Sequence, residues 1–195
     1  MKSSVKVLLL SLGAVFFMAS CSKDDDNGPD KVIVTMGAQS NTTIGGFYST
    51  GQNKVYTQSL AFQNQDTIDF LCFYEHDVVN NKINDITLSS PGANITGIFT
   101  GETSPDVWTV KNLTKFQVPV PAITVAEFDK LAQKDATIES YFDNTVTSSN
   151  KKAKLLAVDN IYAIKTHNGV YGLIKVIEVV QGAEGSVKFE LKLNK

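Results

Sequence analysis

The two histidines of the chain are its clearest candidates for ligand chemistry. His76 lies in Glu75-His76-Asp77, and His167 precedes Asn168-Gly169. Two imidazoles that meet at one point can supply both axial ligands of a haem iron, so His76 and His167 are candidate haem-binding residues. The alternative is that both lie on the surface in loops, where histidine is commonly exposed or half-exposed. Glu75-His76-Asp77 is poorly spaced for a metal site, because adjacent strand residues point to opposite faces.

The two cysteines have very different surroundings. Cys72 lies within an apolar run, residues 68–74, which predicts a buried, inert thiol rather than a nucleophile. Cys21 directly follows Ala19-Ser20, whose small side chains fit a peptidase pocket. If Cys21 is modified, Cys72 has no disulfide partner within the chain.

Residues 1–20 have the pattern of a secretory signal. A basic start precedes an apolar core, residues 7–18, which is too short for a permanent membrane span. Met18-Ala19-Ser20-Cys21 resembles the bacterial lipobox, whose cysteine is acylated and becomes the first residue of the mature protein. The resemblance implies a lipoprotein signal peptide with Cys21 as the lipid attachment site. Each buried methylene of such an anchor contributes roughly 0.8 kcal/mol. An ordinary secretory signal is the alternative.

Residues 21–31 are expected to form a flexible lipidated tether. Ser22 is not Asp, so the common inner-membrane retention rule does not apply. Lys23-Asp24-Asp25-Asp26 is similar to the acidic export tag of Bacteroidetes-type surface lipoproteins. The resemblance implies a protein lipid-anchored to the outer membrane and facing the cell exterior. A solvated acidic linker on a periplasmic protein is the alternative.

Composition and motifs narrow the function classes. The chain has no arginine, and the bidentate arginine fork is prominent in nucleic-acid and phosphate recognition, so neither is an expected partner. G-x-S-x-G, P-loop and paired zinc motifs are absent, so no catalytic residues are identified and no enzyme activity is expected. Carboxylate pairs for glycoside hydrolysis leave no sequence signature. No metal site is predicted, because Asp24-Asp25-Asp26 lacks the glycine and distal glutamate of a calcium loop.

Strand patterns dominate both ends of residues 32–195, which form one α+β domain in this interpretation. Residues 67–74 are apolar on both faces, as in a covered central strand. Thr124 and Glu127 form a capping-box pattern that predicts a helix, and a second short helix is expected over 134–144. The other predictions are strands or hairpins over 31–35, 45–56, 86–88, 161–180 and 186–194, a short helix over 57–65 and a polar loop over 145–154. The domain should be compact and mostly antiparallel β, with few short helices packed against the sheet.

Two details of the C-terminal strands are specific enough to test. Asn168-Gly169 predicts a two-residue type I′ turn between the hairpin strands. In residues 186–194, Val187 and Phe189 alternate with Lys188, Glu190 and Lys192, which predicts a strand with one solvent-exposed face.

Residues 162–176 and 187–192 are similar to the closing three-stranded meander of HmuY-like surface lipoproteins. The resemblance implies a mostly β lipoprotein on the outer membrane surface, and some members of that family capture haem with two histidines. Thr67-Ile68-Asp69-Phe70 stands where the family has a Trp-Asp-rich central strand, and the flanking motifs of the family's ligands have no match here.

These observations favour a non-enzymatic, surface-exposed lipoprotein that binds a small ligand or a partner protein and requires no cofactor. Haem capture through His76 and His167 is the first alternative, and a structural or adhesive cell-surface subunit is the second. Six aromatic residues could form a platform for a glycan or apolar ligand, or could belong to the core: Tyr48, Tyr56, Trp108, Phe116, Tyr162 and Tyr171.

Overall fold

The computed structural model describes residues 31–76, 84–146 and 150–195. The predicted signal peptide, Cys21, almost all of the tether and Asp77 lie outside the described residues. Within them, the domain is built from two antiparallel sheets and a few short helices, as the sequence predicts. No helix in the described ranges is both long and apolar enough to cross a membrane.

Each sheet has five strands. The first sheet has the order β1-β10-β9-β8-β6, with β1 Val32–Gly37, β6 Lys115–Gln117, β8 Ile161–Lys165, β9 Tyr171–Val180 and β10 Ser186–Leu193. The second has the order β3-β2-β4-β5-β7, with β2 Phe47–Ser49, β3 Lys54–Tyr56, β4 Phe70–His76, β5 Asn84–Ser89 and β7 Lys152–Ala153. In the described part of the chain, two α-helices and three 3-10 turns complete the elements. The helices are α1 Gln58–Gln63 and α2 Val125–Lys130, and the turns are Gln65–Thr67, Pro105–Val107 and Ala136–Tyr141.

The main core lies between the two sheets. Phe70 and Cys72 of β4 point into it and meet Phe189 of β10 and Ile174 of β9. The opposite face of β4 is buried as well, because Leu71 and Phe73 belong to a separate cluster outside the second sheet. The prediction that this strand is covered on both sides is therefore confirmed.

Both sheets are covered on their outer faces. α1 and the long connection after β5 cover the second sheet, where Phe99 and Trp108 contact the ring of Phe47 at centroid distances of 5.1 and 5.5 Å. The first sheet is covered by α2 and the 3-10 turn, which contribute Phe128 and Ile138. α2 begins with the predicted capping box, in which Thr124 and Glu127 each bond to the other's backbone N–H. The helices therefore pack against the sheet, as expected.

The prediction of one solvent-exposed face on the last strand is wrong. Glu190 and Lys192 are each only 2% exposed, because α2 lies over this face of β10. The Lys192 ammonium donates to the backbone carbonyl of Phe128 at 2.9 Å and to that of Leu131. It lies 3.6 Å from Glu190 Oε1, and Lys175 lies 3.4 Å from Glu190 Oε2. The charged residues thus attach the end of α2 to the sheet instead of facing water.

The turn between β8 and β9 also differs from the prediction. The hairpin forms, but Thr166 N–H donates to the carbonyl of Val170, which leaves a three-residue loop. Gly169 N–H donates to the carbonyl of Thr166, and Gly169 has a φ of +82° while Asn168 is not in the left-handed region. A type I′ turn needs both central residues there, so this is a three-residue hairpin loop with glycine at the left-handed position.

Candidate ligand-binding groove

The two candidate histidines lie at opposite ends of β4. His167, in the hairpin loop, places Nδ1 3.3 Å from Oδ1 of Asp69, which directly precedes β4. His76 is the last residue of β4, and its ring stacks on that of Tyr74 at a centroid distance of 6.0 Å. At about 3.3 Å per residue, Asp69 and His76 are roughly 23 Å apart. His76 and His167 are thus not brought together, and this arrangement does not fit one haem iron bound by both within one chain.

Asp69 is a buried carboxylate that links the two sheets. It is 2% exposed, and its Oδ2 accepts hydrogen bonds from the backbone N–H and the hydroxyl of Thr50, both at 2.7 Å. Oδ1 accepts no hydrogen bond from the described residues, and its ion-pair partner among them is His167. Because His167 comes from the first sheet and Asp69 from the second, the pair joins the sheets at this end of the domain.

Burial decides the roles of the other candidate residues, which are Cys72 and the six aromatic residues. Cys72 is fully buried, and burial raises the pKa of its thiol well above the usual range, as expected for an inert cysteine. Within the described ranges, no group of three or more His, Cys, Asp or Glu residues could hold a metal ion. The aromatic residues do not form a platform, because five of the six are buried: Tyr48, Tyr56, Trp108, Phe116 and Tyr171. Tyr162 alone of the six is half-buried.

A concave surface runs along one side of the domain, where the edge strands β6 and β7 come together. Two cavities of about 720 and 490 Å³ adjoin there and share Val118 and Tyr162. We call this surface the edge groove. Residues that line it include Glu75, Asn94, Gln117, Val118, Ile123, Asn150, Lys151, Lys152, Lys154, Asp159 and Tyr162.

One half of the edge groove is basic. Glu75 Oε2 lies 3.5 Å from the ammonium of Lys152 and 3.2 Å from that of Lys154, so two cations share one carboxylate. Burial lowers the pKa of Lys152, and the nearby carboxylate of Glu75 only partly offsets this effect. Lys151 is exposed, and no carboxylate of the described residues lies within ion-pair distance of its ammonium.

Polar groups line the wall between the two edge strands. Phe116 N–H donates to the backbone carbonyl of Asn150 at 2.7 Å, which closes the gap between β6 and the segment before β7. The Tyr162 hydroxyl donates to the carbonyl of Lys154 at 3.2 Å. The side-chain nitrogen of Gln117 is buried and has no hydrogen-bond partner among the described residues. A buried amide N–H without a partner costs about 1–3 kcal/mol in the folded protein.

The other half of the edge groove is mainly apolar, although the exposed carboxylate of Asp159 also lines it. Val118 is 69% exposed and Ile123 is half-buried, both beside Tyr162. Val118-Pro119-Val120-Pro121 cannot continue β6 as a central strand because proline lacks the N–H donor, and β6 indeed ends at Gln117 on the sheet edge. Pro119 and Pro121 are therefore the sequence feature that indicates a sheet edge at the end of β6. The polar loop predicted over 145–154 instead includes β7, and its lysines gave no separate signal of a site.

No family model matches the chain, and no curated protein matches it. Among solved structures, the chain is similar to a DUF4466 family protein from Parabacteroides merdae. The TM-score is 0.46 and the sequence identity 14%, and the match covers 85% of this chain and 52% of the other. The chain thus spans about half the length of that protein. The resemblance to HmuY-like lipoproteins remains a prediction.

Proposed function

We propose that this chain is a non-enzymatic, lipid-anchored surface protein that binds an extracellular ligand in the edge groove. The observation that carries the proposal is a concave surface in which Lys151 is exposed without a carboxylate partner among the described residues, Lys152 and Lys154 share Glu75, and an apolar half adjoins them. A concave surface that combines apolar side chains with a few polar groups is the default candidate for a binding site.

The ion pairs of Glu75, the acidic residue of the basic half, favour binding over catalysis. Glu75 is already engaged by Lys152 and Lys154, and the other carboxylate among the described groove residues, Asp159, lines the second cavity, so neither cavity holds a pair of described carboxylates. Acid–base hydrolysis of a glycoside generally uses two carboxylates on either side of the scissile bond. A groove of this composition offers hydrogen-bond donors, positive charge and apolar surface, which are the elements of recognition.

Anchoring through Cys21 is tested by acylation. Cells expressing the full chain are grown with radiolabelled palmitate, and label is expected on the wild type and on Cys72→Ala but not on Cys21→Ala. Protease added to intact cells should degrade the wild-type domain if it faces the exterior. Label that persists in Cys21→Ala contradicts lipidation at this residue, and complete protection from protease contradicts surface exposure.

Ligand binding in the edge groove is tested with a pair of matched variants. Val118→Asp places a charge on the apolar half, whereas Leu60→Asp changes an exposed apolar residue, 46% accessible, on α1. α1 packs near β3, at the opposite edge of the second sheet from β7. The full chain in detergent is titrated with neutral and acidic oligosaccharides and with haem. We expect a saturable ligand whose binding is lost in Val118→Asp and retained in Leu60→Asp. Equal binding by both variants, or no saturable ligand, contradicts the proposal.

A further inference from the structure

We propose that the ligand of the edge groove is an acidic oligosaccharide, bound through its carboxylates by the lysines of β7 and its flanks. This inference rests on the proposed function and adds the chemical class of the ligand. It follows from three independent features of the groove: its charge, its side-chain donors and its occupied backbone edge.

The charge of the basic half is opposite to that of the chain. The whole chain carries a formal charge of −2, whereas the described residues around this cavity include three lysines and one glutamate. Lys151 has no carboxylate partner among the described residues, and Lys152 and Lys154 share Glu75. Burial disfavours the charged form of Lys152, so a ligand anion that approaches it relieves a cost already present in the folded protein.

The side chains favour a carboxylate over a phosphate. Phosphate recognition commonly relies on the planar fork of arginine, and this chain has none. Lysine ammonium groups act as point charges and do not need a bidentate partner. The separate lysines therefore suit a ligand whose carboxylates are spaced along it.

The backbone favours a saccharide over an extended peptide. A peptide that adds to a sheet edge needs free N–H and carbonyl groups, but Phe116 N–H is already bonded to the carbonyl of Asn150. The accessible groups are side chains: the exposed amides of Asn94 and Asn150 and the half-buried ring of Tyr162. Amides can donate to and accept from sugar hydroxyls, and a half-buried aromatic ring provides an apolar surface for a sugar face.

The test uses three probes and the full chain in detergent. Oligogalacturonate carries one carboxylate on each sugar, a galactose oligomer of equal length is the neutral control, and poly-L-glutamate of equal charge is the peptide control. Affinities are measured by isothermal titration calorimetry at low and high salt. We expect saturable binding of oligogalacturonate that weakens at least about tenfold when NaCl rises from about 0.05 to about 0.5 M.

Two variants shift the groove charge in opposite directions. Lys151→Glu changes an exposed residue without touching Glu75 and is expected to weaken oligogalacturonate binding by about tenfold. Glu75→Gln releases Lys152 and Lys154 from their carboxylate and is expected to strengthen it by about threefold or more. Lys54→Glu, on the edge strand β3 away from the groove, makes the same charge change as Lys151→Glu and should leave the affinity within about twofold. Far-UV circular dichroism confirms that each variant is folded.

The remaining outcomes distinguish failure of the acidic-saccharide assignment from failure of the proposed function. If the neutral oligomer binds as tightly as oligogalacturonate and Val118→Asp abolishes both, the groove binds ligands but the assignment of an acidic ligand is wrong. Poly-L-glutamate that binds as tightly as the sugar overturns the saccharide assignment. If none of the three probes binds, the acidic-saccharide assignment is wrong, and the wider ligand panel with Val118→Asp and Leu60→Asp decides whether the proposed function survives. Equal effects of Lys151→Glu and Lys54→Glu place the site elsewhere.

Discussion

Replacement of Lys192 by methionine is expected to destabilise the domain strongly. The side chain is 2% exposed, and its ammonium donates to two backbone carbonyls at the end of α2 while it lies 3.6 Å from Glu190 Oε1. Methionine approximates the length of the lysine stem but has no charge and no N–H donor. The substitution therefore removes these interactions with little change in packing volume.

The size of the stability loss depends on the buried groups that lose a partner when Lys192 is replaced. Removal of one partner from a buried ion pair costs about 3–5 kcal/mol, because the other charge remains buried. Here Glu190 keeps Lys175 at 3.4 Å from its second oxygen, which reduces that cost. The two helix carbonyls lose their donor, at about 1 kcal/mol each. We expect a loss of about 3 kcal/mol in the free energy of unfolding, or a fall in Tm of about 6–12 °C for a domain of this size.

Urea unfolding followed by circular dichroism measures this loss. Lys188→Met provides the control, since Lys188 lies on the same strand but is half-buried and has no ion pair with the described residues, and it should change stability by less than about 0.5 kcal/mol. The double variant Glu190→Gln/Lys192→Met should recover about 1 kcal/mol or more relative to Lys192→Met, because it removes a buried carboxylate that only Lys175 is left to neutralise, while Lys175 keeps Asp129 as a partner. If Lys192→Met and Lys188→Met are equally stable, the buried attachment of α2 is refuted.

Three further perturbations follow from buried or conformationally restricted positions. Gly169→Ala, at φ +82°, should cost about 1 kcal/mol in chemical unfolding, whereas Gly51→Ala, which has open space and no positive φ, should be near neutral; equal costs would contradict the loop geometry. Thr50→Ala removes a hydroxyl donor from buried Asp69 and should cost about 2 kcal/mol, and a change below about 0.5 kcal/mol would show that water replaces it. Cys72 should react with a thiol reagent only on unfolding, since it is fully buried and burial raises the pKa of its thiol; rapid labelling of the native protein would contradict this.

The sequence predicts most elements of the fold because its local patterns are strong. Residues 67–74 have apolar side chains on both faces, and β4 is covered on both sides. The Thr124–Glu127 pattern marks the start of α2. Periodicity fails for Glu190 and Lys192, because alternation shows which residues share a face but not what covers that face. α2 comes from a part of the chain about 60 residues away, and its contact with β10 leaves no local signal.

The candidate site was much harder to predict than the fold. Their residue type makes the histidines candidates for ligand binding, but the pairing of strands separates His76 from His167. The lysines of the edge groove look like an ordinary solvated stretch, and only the sheet order brings them near Gln117. A groove between two edge strands depends on contacts between distant segments, so its residues cannot be identified by spacing along the chain.

The order of strands in the first sheet has a mechanical consequence. The chain enters the domain at β1, on one edge of the sheet, and the edge groove lies beyond β6, on the other edge. With about 4.8 Å between neighbouring strands, the two edges are roughly 19 Å apart. A pull between the proposed N-terminal anchor and the proposed ligand in the groove would have a large component across the strands. Such a load opens hydrogen bonds in succession rather than shearing them together, so β1 is the strand that would detach from β10 first.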